Sequence, residues 1–219
     1  MKTIKLVAAL LPIFVSSPAA AVSIVDAAND IIPSFTGTGS PDLDVTSFAV
    51  SLDAAATTFS LGAVLAGDIN PALPGFYVIG VNTGAGAIRP FAGIGEPNVT
   101  FDQVIIVQKN GTARVGANSL TTLLTGNQFI VTVPVSLLPS TGATPANYGF
   151  NIWPREGAVV TGNSQITDFA PNNALLSVNG LIAVPEPASW LMMLLGFGLI
   201  GGVMRFRRRE SDAVIAQVA

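Results

Sequence analysis

The chain has 219 residues, half of them apolar, with 10 Lys and Arg against 13 Asp and Glu for a formal net charge of −3. It contains no Cys and no His, which excludes disulfide-dependent folding, Ser-His-Asp and Cys-His nucleophiles, and zinc held by nitrogen and sulfur ligands. Carboxylate chemistry, calcium, or no chemistry of its own remains.

In chain order, Met1-Lys2-Thr3-Ile4-Lys5 supplies positive charge, Leu6 to Val15 an apolar run, and Pro18-Ala19-Ala20-Ala21 a small-residue cleavage site. This order reads as a secretory signal peptide over residues 1–21, cut by signal peptidase after Ala21. The apolar run is too short to span a bilayer, so the mature chain is expected to begin near Val22. The body from Val22 to Pro187 carries eleven Asp and Glu against four Lys and Arg. An acidic body of this kind excludes a nucleic-acid partner, because phosphates require Lys and Arg in numbers.

Residues 24–41 mix Asn, Asp, Ser, Thr, Gly and Pro with a few apolar residues and read as a loop or a loosely attached leading strand. Thr46, Phe48, Val50 and Leu52 then alternate with Val45, Ser47, Ala49 and Ser51, and Phe59, Leu61, Ala63 and Leu65 repeat the pattern. Period two predicts half-buried strands. Phe76 to Val81 and Val104 to Val107 are continuous apolar runs, as expected for strands covered on both faces. Asn110-Gly111 predicts a tight hairpin leading into Thr112 to Val115. Gln128 to Val135 alternates again, with Pro134 predicting an edge or a strand end. Tyr148 to Trp153 and Leu175 to Val178 complete at least seven strands. The expected fold class is all-β, a single antiparallel β-sandwich over residues 22–183 followed by one C-terminal transmembrane helix.

That helix is expected over Ala188 to Met204, seventeen uncharged residues preceded by Pro185-Glu186-Pro187 and followed by Arg205, Arg207, Arg208 and Arg209. Seventeen residues are at the short end of what crosses a bilayer. Trp190 suits the headgroup interface, and the arginines hold the C-terminus, including the tail 210–219, on the cytoplasmic side. Gly198 and Gly202 have the spacing of a close helix–helix contact, though glycines are also simply tolerated in lipid. Pro185, Glu186, Pro187, Trp190, Gly196, Gly198 and Arg205 together resemble a PEP-CTERM sorting signal over 184–209. The resemblance implies a Gram-negative bacterium, transient anchoring in the inner membrane, recognition by exosortase with a cut near the Pro-Glu-Pro step, and release to the cell surface or exopolysaccharide matrix. The tail beyond Arg209 departs from the pattern.

A second resemblance is carried by Val99-Thr100-Phe101-Asp102, Lys109-Asn110-Gly111-Thr112, Asn147 to Arg155 and Ile166 to Pro171, which are similar to the later strands of DOMON-like and family 9 carbohydrate-binding sandwiches. It implies sugar-binding ancestry and transfers no binding residue.

From the residues themselves, Trp153 with Tyr148 and Arg155 is the candidate glycan-binding group: aromatic faces stack on sugars and Arg bonds hydroxyls. The alternative is that Trp153 fills the core. Asp42 and Asp44, with Asp30 or Asp102, could gather oxygens for calcium, which takes six to eight, although two acids near a Pro-Gly turn more often make a solvated turn. No other cofactor is expected. Paired carboxylates could serve a glycosidase, but neither Glu96 nor Glu156 is assignable. The expected protein is a non-catalytic structural or glycan-associated component of the surface or matrix. A specific carbohydrate-binding module and a carboxylate hydrolase are the alternatives.

Overall fold

Alternating and continuous apolar runs become strands of one antiparallel ladder. The structure is a computed structural model that describes residues 20–157 and 162–182. The chain divides into two compact units, Met1–Ile182 and Ala183–Ala219, and every described residue belongs to the first. Most of the expected signal peptide, the helix over 188–204, its arginines and the tail 210–219 lie outside the described residues. Among the described residues no helix is long and apolar enough to cross a membrane.

The strands are β1 (Ala20–Val25), β2 (Val45–Leu52), β3 (Thr58–Leu65), β4 (Phe76–Asn82), β5 (Gln103–Gln108), β6 (Ala113–Val115), β7 (Asn118–Thr125), β8 (Gln128–Pro134), β9 (Gly149–Arg155), β10 (Leu175–Ser177) and β11 (Gly180–Ile182). They pair in the order β1-β2-β3-β8-β7-β6-β5-β4-β9-β10-β11. The two layers of the expected sandwich are therefore joined into one continuous ladder. Strand β7 joins the halves by pairing β6 through Asn118 to Leu120 and β8 through Thr121 to Thr125. This strand leaves no clear apolar alternation in the sequence, because its inward residues, Leu120, Thr122 and Leu124, mix polar with apolar and are only half buried. Strand β1 begins at Ala20, so it includes two residues ahead of the expected cut after Ala21.

The two halves of the ladder face each other. Phe59 on β3 meets Phe150 on β9 with ring centroids 4.9 Å apart, and Phe129 on β8 meets Tyr77 on β4 at 4.9 Å. The space between is the main core, with Phe48, Val50, Leu61, Val131 and Val133 from one half and Ile79, Val81, Ile105, Val107 and Ile152 from the other. Val45 joins this core, although strict alternation places it on the outer face with Ser47. The register slips between Val45 and Ser47, and the extra residue of a bulge turns Val45 inward beside Phe48.

Strands β4 and β9 are buried on both faces, as a continuous apolar run requires. Their outward residues Phe76, Val78 and Trp153 form a second core with Ile32, Phe91, Val99, Phe101, Ile106, Ile166 and Phe169, brought over the sheet by the segments around 32, 91–101 and 166–169. The Asn110-Gly111 hairpin is present, with Gly111 at φ +86 and Val107 paired with Ala113. Strand β8 is central, between β3 and β7. Its pairing with β7 starts at Thr132, so Pro134 lies beyond the last β7 pair and costs no ladder bond on that side.

Candidate functional site

Strand periodicity decides the fate of the expected glycan platform. Successive side chains on β9 point to opposite faces, so Tyr148, Phe150 and Ile152 enter the main core while Trp153 enters the second. Tyr148 is 1% exposed, its ring 5.9 Å from that of Phe59, and its hydroxyl donates to the Leu138 carbonyl at 3.1 Å. Trp153 is 2% exposed, with centroid distances of 5.0 Å to Phe91 and 5.1 Å to Phe101. Arg155 is buried too, and its guanidinium donates to the Gly162 carbonyl. The three residues thus share no exposed surface, and an open stacking platform is corrected to two buried rings on opposite sides of one sheet. A cleft of about 280 Å³ opens on the outer face of this sheet, bordered by Pro90, Phe91, Phe101, Ile106, Trp153 and Asn163.

The acids divide between loop ties and one cluster. Asp42 does not join Asp44: its carboxylate takes the Lys109 ammonium at 2.8 Å, the Asn70 amide at 3.0 Å and the Ser40 hydroxyl. Asp102 is also elsewhere. It accepts from the amides of Thr83, Gly86 and Ala87 at 2.9, 3.2 and 3.0 Å and from the Thr141 hydroxyl at 2.9 Å. Burial acts to raise its pKa, but these donors outweigh it and leave the carboxyl below its ordinary range. Glu156 accepts from the Thr38 hydroxyl at 2.6 Å and the Gly39 amide at 2.9 Å, tying the leading segment to the end of β9. The cleft beside it, about 340 Å³ and also lined by Phe35, Thr36, Pro74 and Gln165, has no second acid among the described residues that line it. Glu96 accepts the Asn173 amide.

Asp30 belongs to a cluster with two other acids, Asp26 and Asp168, and Asp44 lies near enough for its charge to act on Asp26. Carboxylate oxygens of Asp26, Asp30 and Asp168 lie within 4.8 Å of one another. Asp26 follows β1, and Asp44 immediately precedes β2, the strand that pairs with it. Asp168 comes from the segment between β9 and β10 and is fully buried, accepting the amides of Val45 at 2.9 Å and Phe169 at 2.6 Å. Burial first, then the charges of Asp26 and Asp30, push its carboxyl up to about 8. Asp26 is pushed up to about 6 by burial and by Asp30. Asp44, 4% exposed, is raised by burial and by Asp30, against the lowering effect of the Asn29 amide. Asp168 is more than a hundred residues from the other three, so only the return of the chain after β9 could reveal it.

The described unit is thus an all-strand domain with two cores and an acidic cluster where β1 and β2 meet the 162–174 segment. The PEP-CTERM protein-sorting motif matches residues 183–209. The match includes Pro185, Glu186, Pro187, Trp190, Gly196, Gly198, Arg205, Arg207, Arg208 and Arg209, all outside the described residues. It indicates a protein that exosortase processes and sorts to the cell surface. No curated protein and no solved structure gives a significant match, and the resemblance to DOMON-like and family 9 sandwiches gains no support from either.

Proposed function

We propose that the chain is an exported surface or exopolysaccharide-matrix protein of a Gram-negative bacterium, with a non-catalytic structural or glycan-associated β-sandwich. The sorting motif over 183–209 is the observation that carries this reading. In it, the N-terminal signal directs export, residues 188–204 hold the chain briefly in the inner membrane, and exosortase cuts near Pro185-Glu186-Pro187. The fold is consistent with a structural role, since Asp42, Asp102 and Glu156 each tie segments distant in the chain. The glycosidase alternative would require two facing acids in a cleft, and the cleft beside Glu156 offers one.

The test compares the chain in hosts with and without exosortase. With the enzyme, released protein should begin near Val22 and lack Arg205 to Arg209. Without it, the arginine-bearing terminus should remain in the membrane fraction. Released protein that keeps those arginines would overturn the sorting route. Retention on native polysaccharide without its hydrolysis would support the matrix role; hydrolysis would replace it.

A specific carbohydrate-binding module is the second reading, favoured by the apolar cleft of about 280 Å³ lined by Pro90 and Asn163, with Trp153 buried beneath it and offering no stacking face. A glycan array distinguishes it, because a module binds a narrow set of sugars and a matrix component does not.

A further inference from the structure

Three carboxylates meet where β1 and the loop before β2 pass under the 162–174 segment, Asp44 lies beside them, and several of these buried oxygens have no donor. Asp26, Asp30 and Asp168 approach within 4.8 Å. Asp44, whose charge acts on Asp26, is 96% buried by its 4% exposure, and its second oxygen, Oδ1, is buried with no donor. Asp26 Oδ2 and Asp30 Oδ1 are likewise buried without a donor among the described residues. A buried, unpaired carboxylate oxygen is costly, and a set of them facing one another adds like-charge repulsion. The buried ion pair of Lys109 with Asp42 involves none of these acids.

We propose that Asp26, Asp30 and Asp168, with the buried Asp44 carboxylate beside them, bind a calcium ion that clamps the start of the sandwich to the segment returning from β9. The ligand chemistry selects the metal. Every candidate donor is a carboxylate oxygen, the hard donor that calcium and magnesium prefer, and there is no imidazole or thiolate to draw zinc or copper. Calcium accepts six to eight oxygens in irregular arrangements, whereas magnesium demands a near-ideal octahedron and sheds water reluctantly. Two acids from the β1–β2 region and one from 162–174 form an irregular, partly dry set. Asp168 is held in place by the Val45 and Phe169 amides, so its orientation does not depend on the ion.

The clamp also gives export a role. Modules outside the cell typically bind calcium with dissociation constants of about 10⁻⁴ to 10⁻³ M, so the sandwich would tighten on reaching calcium-rich surroundings. This inference does not depend on what the sandwich binds.

The experiment uses the full chain in mild detergent, stripped with chelator and dialysed against calcium. The expected result is one calcium per chain, a thermal midpoint that rises with calcium concentration and returns with EGTA, and a weaker response to magnesium. Asp30→Asn, at a partly exposed position, should fold and lower calcium affinity at least about tenfold. Asp168→Asn should abolish the response and Asp44→Asn should weaken it, while Asp53→Asn, at the far end of β2, should retain it. Absence of bound calcium in the unsubstituted chain overturns the proposal whether or not the variants fold. An equal response to magnesium, or an undiminished calcium response in Asp30→Asn, overturns it as well.

Discussion

Lys109 Nζ lies 2.8 Å from Asp42 Oδ2, with the two side chains only 3% and 2% exposed. Lys109 enters from the β5–β6 hairpin and also donates to the Pro74 carbonyl at 3.2 Å, while Asp42 comes from the turn before β2. The pair therefore links the two halves of the ladder. Removing one partner of a buried pair leaves the other charge uncompensated and costs about 3–5 kcal/mol. Lys109→Met is expected to lose that much in denaturant unfolding, and adding Asp42→Asn should restore part of it. A loss below about 1 kcal/mol would show that water reaches the pair.

Trp153 is expected to matter for stability. Truncating a large aromatic in a packed core costs about 3–5 kcal/mol, so Trp153→Ala should lower the unfolding midpoint strongly. Its ring crosses Gly80 on the neighbouring strand, where an added Cβ would meet ring carbons at 2.5 Å. Gly80→Ala should therefore cost about 1–3 kcal/mol through overpacking. An unchanged midpoint in Trp153→Ala would mean that the second core is not packed around this ring.

Asp102 sets an acid limit. Its folded pKa is below the ordinary 3.8, so it stabilises the fold above that value, and the contribution disappears as pH falls through the lower, folded value. The thermal midpoint should decline below about pH 4. Asp102→Asn should be less stable at neutral pH, and its deficit relative to the unsubstituted chain should shrink as acid removes the charge. Parallel profiles from pH 6 to pH 2 would contradict this assignment.

The outer face of the β7–β8 pair should tolerate change. Leu123 and Ile130 lie opposite each other, 64% and 46% exposed. A cross-strand pair of this kind contributes roughly 0.2–1 kcal/mol. Replacing both with Thr should shift stability by less than about 1 kcal/mol; a larger loss would indicate that this face is covered by something in solution.

Local pattern alone determined much of this protein. The alternation of Phe59, Leu61, Ala63 and Leu65 gave β3 and its inward face, the continuous run Phe76 to Val81 gave a strand buried on both sides, and Asn110-Gly111 gave a reversal. The sorting signal was legible because it is a contiguous order of proline, apolar run and arginines that requires no folding to be read. Tertiary structure decided what depends on residues far apart in the chain. A one-residue bulge turned Val45 inward, and the loops carrying Phe91, Phe101 and Phe169 closed over Trp153. Asp42 and Asp44 are two residues apart, yet one faces Lys109 and the other lies beside Asp26 and Asp30. Spacing along a chain fixes a side chain's direction only within a regular element, whereas its partners depend on which strands the ladder brings together.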